Sequence, residues 1–502
     1  MDANPSGGPG LKRSLSVWAA VGISVALMAP SMAANINPQG SASYAGRAVP
    51  LTFLIAAVGV LLVAYSFVRL CQYFHHAGSV YAFVGATLGP RTGVIAGWGL
   101  LGTYTFYAVV TSAAAGIFGT AFLQEVKIWP NPPTWAPFVL LAVALVLALL
   151  LAIMPARRGA HVLLSVEGTT VALILVVTAV VLVRLLAGNA PGGHGFTWSV
   201  FSVAPGTGTN DLFLGVVFGF LSFAGFEAAA TLGEEANRPT RDIPRAILGT
   251  AVFGGVYFVV VTAVEMMAFG ATPAGVKAFV SSPSLLGDLG SSYIGSWVGD
   301  VITLGTAISA FGCCLACVVG AARLLYALSR DTAGSRGLGQ GSSRWGTPVW
   351  ATFAVTAMAA VIVIVETAVA AHADAFNSFL WSGTIGTLIL LVVYVLATVG
   401  CIMLVFVRHK LPVPMWQVIV PIASIFVLGY TLYRNVWPYP SGTARWFPIV
   451  SGIWLLAVVV AVLFAPGTAR RLGAALAARE GIVAPGTEAP GQPVAAARDE
   501  TT

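Results

Sequence analysis

Apolar runs of about 20 residues, the length that carries a helix across the hydrocarbon of a bilayer, recur along the whole chain. Twelve can be placed, at about 16–36, 49–70, 93–122, 135–154, 162–187, 211–236, 246–270, 297–328, 348–368, 374–406, 412–433 and 446–466. Lipid offers no partner to a backbone N–H or C=O, so such a chain has to fold as a bundle of spanning helices. Composition agrees: 58% of residues are hydrophobic and 9% charged, against roughly 45–50% and about 25% in soluble domains. With a mean hydropathy of +0.89 a soluble fold is excluded. An all-α polytopic membrane protein with 12 transmembrane helices is expected.

Lys and Arg set the orientation. With a cytoplasmic N-terminus, six of the 25 basic residues fall outside, namely Arg47, Lys127, Arg184, Lys277, Arg434 and Arg445, which leaves nineteen inside. The positive-inside rule prefers this arrangement and puts both termini in the cytoplasm, in a cell (inner or plasma) membrane. The net charge of +7 then reflects topology and contact with anionic lipid headgroups, not nucleic acid. Residues 1–14 and 467–502, rich in Gly, Pro, Ala and charge, are expected to be disordered tails. Lys12-Arg13, an apolar run and Ser31-Met32-Ala33 imitate a cleavable signal peptide. Cleavage would leave an odd number of spans and invert the charge bias, so the segment is read as the first span.

Two spans are interrupted. The first contains Leu27-Met-Ala-Pro-Ser-Met-Ala33, where Pro30 removes a backbone donor and Ser31 can bond a freed carbonyl. The sixth carries Ser222, Gly225 and Glu227 before a charged, proline-marked turn. Irregular backbone and a carboxylate survive at depth only where they line a cavity. Breaks near Pro30 and Gly225 lie about five helices apart, so helices one to five and six to ten form a candidate 5+5 inverted repeat. That places a transport core at 15–408 and accessory helices at 409–466.

The sixth-span stretch also carries a family pattern: Phe220, Phe223, Gly225, Phe226 and Glu227, then Glu234-Glu235, then Asn237, Pro239, Arg241, Pro244 and Arg245. It resembles helix six and the following cytoplasmic loop of amino acid–polyamine–organocation permeases. Residues 74–98, with His75-His76-Ala77-Gly78-Ser79-Val80-Tyr81, are similar to the family's loop between helices two and three, without its usual proline and second glycine. Ala321–Asp331 followed by Gly346-Thr347-Pro348 looks like the exit from helix eight. The resemblance implies a LeuT-type fold and a secondary transporter working by alternating access on an amine or amino acid.

Residue by residue, it implies a carboxylate cradle at Ala29, Pro30, Ser31 and Met32, and an amine cradle of carbonyls at Phe220, Leu221, Ser222, Phe223 and Ala224. Gly225 is the break. Phe223 and Phe226 would wall the pocket, with Tyr104, Tyr107 and Trp381 as further candidates. Helix ends favour this division, since freed amides attract anions and freed carbonyls attract cations. Glu234, Glu235, Arg241 and Arg245 are candidates for an inner gate. A neutral or aromatic amino acid is favoured, with a polyamine or organic cation as the alternative; a channel or a non-transporting sensor is the remaining rival, and a channel finds no filter-like loop.

Three acids sit at membrane depth. Glu227 is read either as a cap at the first turn of an inner half-helix or as a ligand or proton carrier. Glu167 is either a proton carrier or an inner-vestibule partner of Arg157 or Arg158. Glu265, near the outer end of helix seven, is expected to reach the interface. Ser309-Ala-Phe-Gly-Cys313-Cys314 puts thiols where sodium would want oxygen, and helix five has no lysine such as some relatives use in its place. Proton coupling or exchange is therefore expected, with Glu167 and Glu227 as the candidate carriers. The five cysteines give neither a disulfide framework nor a metal motif, and no cofactor is implied.

Overall fold

The computed structural model describes residues 16–74, 80–154, 159–232, 236–333, 337–342, 347–370, 372, 374–464 and 467. Every regular element among them is a helix. In chain order these are α1 (Val17–Met28), α2 (Pro30–Ala45), α3 (Val49–Tyr73), α4 (Val80–Leu88), α5 (Pro90–Glu125), α6 (Ala136–Ile153), α7 (Gly159–Leu186) and α8 (Thr209–Phe223). They continue with α9 (Pro239–Phe269), α10 (Pro273–Ser281), α11 (Leu285–Tyr293), α12 (Ser296–Ala333), α13 (Val349–Val369), α14 (Ala375–Ile402), α15 (Ile419–Val436) and α16 (Trp446–Phe464). Ten helical runs among the described residues are long and apolar enough to cross a membrane.

The first of those runs, Ala20–Tyr73, is interrupted at Ala29 and again at Gly46–Ala48. At 1.5 Å per residue, α1 with 12 residues and α8 with 15 each fall short of a hydrocarbon core about 30 Å thick. They are partial spans, and each ends at a break. The first span was expected to stop near residue 36. Instead α2 carries on to Ala45, because Asn35, Asn37 and Gln39, polar enough to look like a loop, are all buried and bonded inside the protein. After α8 the chain forms only a 3-10 turn, Ala228–Leu232, so the described residues hold no inner α-half-helix with a dipole for Glu227 to cap.

The middle of the bundle is made by α5, on which α12 and α14 both pack through small and apolar side chains. Around it α6, α13, α15 and α16 turn apolar faces outward, among them Val139, Val143 and Val146 on α6 and Ile453 and Leu456 on α16. These are lipid-facing surfaces: the hydrophobic driving force is absent there and exposure costs nothing.

α2 and α8 lie against each other with no space to spare. A Cβ on Gly40 of α2 would sit 2.5 Å from Phe218 Cδ1 of α8, and one on Gly219 of α8 would sit 2.6 Å from Ala56 Cβ of α3. The Asn37 side-chain amide donates to Ser222 Oγ at 2.7 Å across the same interface. Further along α2, Gln39 Nε2 donates to the carbonyls of Phe279 and Ser282 at 3.1 and 2.6 Å. Asn35 Oδ1 accepts from the Leu286 amide at 2.8 Å. Together these bonds tie the short helices α10 and α11 to α2 as a cap.

Candidate functional site

The first break is a single residue in the left-handed region, Ala29 at φ 45 and ψ 58, followed by Pro30 at the first position of α2. Proline suits that position, since its missing N–H would have no helical partner. The amide and the hydroxyl of Ser31 both donate to Glu167 Oε1 on α7, each at 2.9 Å. Ser309 of α12 lies beside the same carboxylate, though its Oγ makes no hydrogen bond. Tyr257 of α9 donates its hydroxyl to the Pro30 carbonyl at 3.4 Å, and Cys313 of α12 its thiol to the Leu27 carbonyl at 3.3 Å. Elements far apart in sequence thus converge on the freed backbone of one break.

The second break follows Phe223. Gly225 has φ +102, a conformation L-residues avoid, and a Cβ there would lie 3.0 Å from Leu27 Cβ. The two interruptions therefore touch, Leu27 of α1 against Gly225. A further bond joins them: the Ala229 amide donates to Ser24 Oγ at 2.9 Å. Glu227 is buried, and its Oε2 accepts from the Tyr394 hydroxyl of α14 at 3.0 Å.

Between the breaks lies a cavity of about 30 Å³, little more than one water's share of liquid. Met32, Leu221, Ala224, Gly225 and Glu227 line it, as do Leu27 and Met28 from α1. Tyr104, Tyr107, Cys313 and Cys317 close the far wall. Glu227 is the one charged residue on that lining.

Other residues singled out from the sequence lie elsewhere. Ala29, Pro30 and Ser31 sit behind the cavity, toward α7 and α9. Phe220 is buried against Gly59 of α3, and Phe223 packs edge-on against Phe258, with ring centroids 5.3 Å apart. Phe226 fills the space between Phe67 and Tyr394, and Ser222 is held by Asn37 and by the Phe218 carbonyl. Trp381 lines a separate cavity with Tyr44, His372 and Asn377. Arg241 and Arg245 are exposed at the start of α9. Glu234, Glu235, His75, His76, Arg157 and Arg158 lie outside the described residues. Glu265 departs from its expected place: it is fully buried, not at the interface.

A sequence model of amino acid permeases matches residues 34–471, most of the chain, beginning just after the first break. The chain belongs to the amino acid permease family. The branched-chain amino acid permease BcaP of Lactococcus lactis is 28% identical over 61% of this chain and 66% of its own length. The low-affinity putrescine importer PlaP of Escherichia coli is 27% identical over 63% and 67%. An uncharacterized transporter of Mycobacterium tuberculosis is 29% identical over 74% and 77%. The chain thus spans about two thirds of the length of the first two. As an amino acid permease it is a multi-pass membrane protein of the cell membrane and a transporter, not an enzyme.

In this permease several residues that shape the site give little sign of it in the sequence. Tyr394 lies in a uniformly apolar helix, and its bond to Glu227 joins residues 167 positions apart. Asn35, Asn37 and Gln39 did carry a signal, three buried-type amides at alternate positions directly after a helix break. They read as the end of a span because they lower its hydropathy.

Proposed function

We propose that this permease moves a small neutral amino acid across the membrane by alternating access, coupled to protons or by exchange. The observation that carries the reading is the abutment of two broken helices, Leu27 against Gly225, at a small cavity whose walls are apolar apart from Glu227 and a few hydroxyls and thiols. Apolar walls from Met28, Met32, Leu221 and Leu390 suit an aliphatic side chain. The end of α8, from Phe220 to Ala224, suits its ammonium, although the Leu221 and Phe223 carbonyls already accept from the Ala224 and Phe226 amides, and the start of α2, from Ala29 to Met32, suits its carboxylate. In this reading α1 with α2, and α8 with the turn that follows it, each count as one crossing. That makes twelve, in a 5+5 inverted repeat plus two helices, with both termini in the cytoplasm. Glu234, Glu235, Arg241 and Arg245 would form the inner gate, and Glu167 and Glu227 are the candidate proton carriers.

The named substrate of the Lactococcus relative favours a branched-chain amino acid. A second reading, a polyamine or organic cation, draws on Glu227, the only charge on the cavity wall, and on the named substrate of the Escherichia relative. Purified protein in sodium-free proteoliposomes decides between them. Labelled leucine and labelled putrescine are offered with and without an inward proton gradient. Leucine uptake that rises with the gradient supports the first reading and putrescine uptake the second. Uptake of neither, with no counterflow, sinks both.

A further inference from the structure

Five carboxylates are buried among the described residues: Asp242 sits in the first turn of α9, and the other four, deeper in the bundle, differ in one countable respect. Glu167 accepts from the Ser31 amide and hydroxyl. Glu227 accepts from Tyr394, with the amides of Gly225 and of Glu227 itself beside it. Glu366 on α13 accepts from Ser382 Oγ at 2.7 Å. Glu265 is 0% exposed, and among the described residues neither of its oxygens has a hydrogen-bond partner. An ionised carboxylate without donor or counter-cation is too costly to keep in an apolar interior, whereas a protonated one needs far less.

We infer that Glu265 is the outward-facing proton-loading residue of this permease, holding a proton while the cap is closed and exchanging it with external water when the cap lifts. The inference rests on the proton-coupled reading above. It places the first protonation on a residue other than Glu167 or Glu227.

Among the described residues no hydrogen-bond donor reaches the Glu265 oxygens; His194 lies against Gly270, just past the end of α9, and α8 brings Asp211. Of the helices packed on α9, α1 has no titratable side chain and α2 has only Tyr44. α3 brings Tyr65, Arg69, Cys71 and Tyr73, all toward its cytoplasmic end, and α7 brings Glu167 and Arg184 among its described side chains. Arg184 is already stacked over the Tyr293 ring of α11 at 5.9 Å. On α10, Lys277 is exposed, and on α11 Asp288 accepts from Ser282. Tyr257, two turns inward on α9, is the titratable group that lies within electrostatic reach of both Glu265 and Glu167.

The position is suited to loading from outside. Glu265 is one turn from the outer end of α9, where Phe269 packs edge-on against Phe279 of α10, ring centroids 5.4 Å apart. α10 and α11 are held down by Gln39 and Asn35 of α2, the helix that begins at the first break. A movement of α2 that follows substrate binding would therefore lift the cover from Glu265. Inward of it, Tyr257 bonds the Pro30 carbonyl, one residue from the Ser31 amide that Glu167 holds. The proton leaves external water for the Glu265 carboxylate, and Tyr257 and Glu167 mark the way toward the cytoplasm.

The test compares wild type with Glu265→Gln, an isostere of the neutral acid, by two measurements. Infrared spectra of the reconstituted protein at neutral pH should contain a protonated-carboxyl C=O band that the variant loses. Proton-gradient stimulation of uptake should also be lost, while gradient-independent exchange, which shows that the variant folds, persists. A difference spectrum without that band overturns the inference, as does a variant still driven by the gradient. If wild-type uptake itself ignores the gradient while the band is present, the proton-coupled reading fails and the loading role falls with it, leaving only a neutral buried acid.

Discussion

Ser31 gives both its amide and its hydroxyl to one oxygen of Glu167, each at 2.9 Å, so the exposed end of α2 is already engaged by a carboxylate of the protein. A substrate carboxylate approaching from the cavity would have to share that helix end with Glu167. Glu167→Ala leaves two buried donors unpaired and should lower stability by about 1–3 kcal/mol. Ser31→Ala, which removes only the hydroxyl, should cost about 1 kcal/mol. Thermal unfolding in detergent, followed by tryptophan fluorescence, should rank the two in that order; the reverse ranking would mean the amide contact is weak.

Gly225 should tolerate no side chain. Its positive φ costs an L-residue roughly 1–2 kcal/mol, and a Cβ there meets Leu27 at 3.0 Å. Gly225→Ala is expected to reach the membrane in near-normal amount and to lose most transport. Normal uptake by the variant would show that the contact between the breaks does not need to be close.

Tyr394→Phe keeps the aromatic packing against Phe67 and Phe226 and removes only the donor to Glu227. If Glu227 meets the substrate's amine, the freed carboxylate should change substrate affinity by about 10- to 150-fold, the effect of one charge-assisted hydrogen bond of about 1.5–3 kcal/mol. Competition binding measures this directly. An unchanged affinity together with a lower unfolding temperature would make Glu227 a structural residue.

Two thiols, Cys313 and Cys317, face the central cavity. A small maleimide should inhibit uptake slowly, and saturating substrate should protect. Cys313→Ser with Cys317→Ser should transport and resist the reagent. Inhibition that persists in the double variant would place the sensitive thiol among Cys71, Cys314 and Cys401.

The bundle and its breaks were legible because proline, glycine and carboxylates are out of place in lipid-length apolar runs. Pro30 and Gly225 announced themselves on those grounds. Partnerships were not legible: Glu167 meets Ser31 across 136 residues, and no local pattern encodes such a meeting. Glu265 was misjudged for a related reason. Nearness to the end of an apolar run predicts exposure only if nothing packs there, and here α10 and α11, too short and too polar to register as membrane segments, pack on α9. The inner half of the sixth span was overestimated because hydropathy reports that a segment is buried without reporting whether it is helical.

The missing side chain at Gly40, whose place the Phe218 ring takes, has a mechanical consequence. Where a ring fills the place of a Cβ, neighbouring helices cannot slide without first pulling apart, so α2 and α8 should swing as one strut and the bending should fall on Ala29 and Gly225. Enlarging Gly40 would not loosen the strut but wedge it, and the permease would then be slow in both directions at once, whichever side its substrate came from.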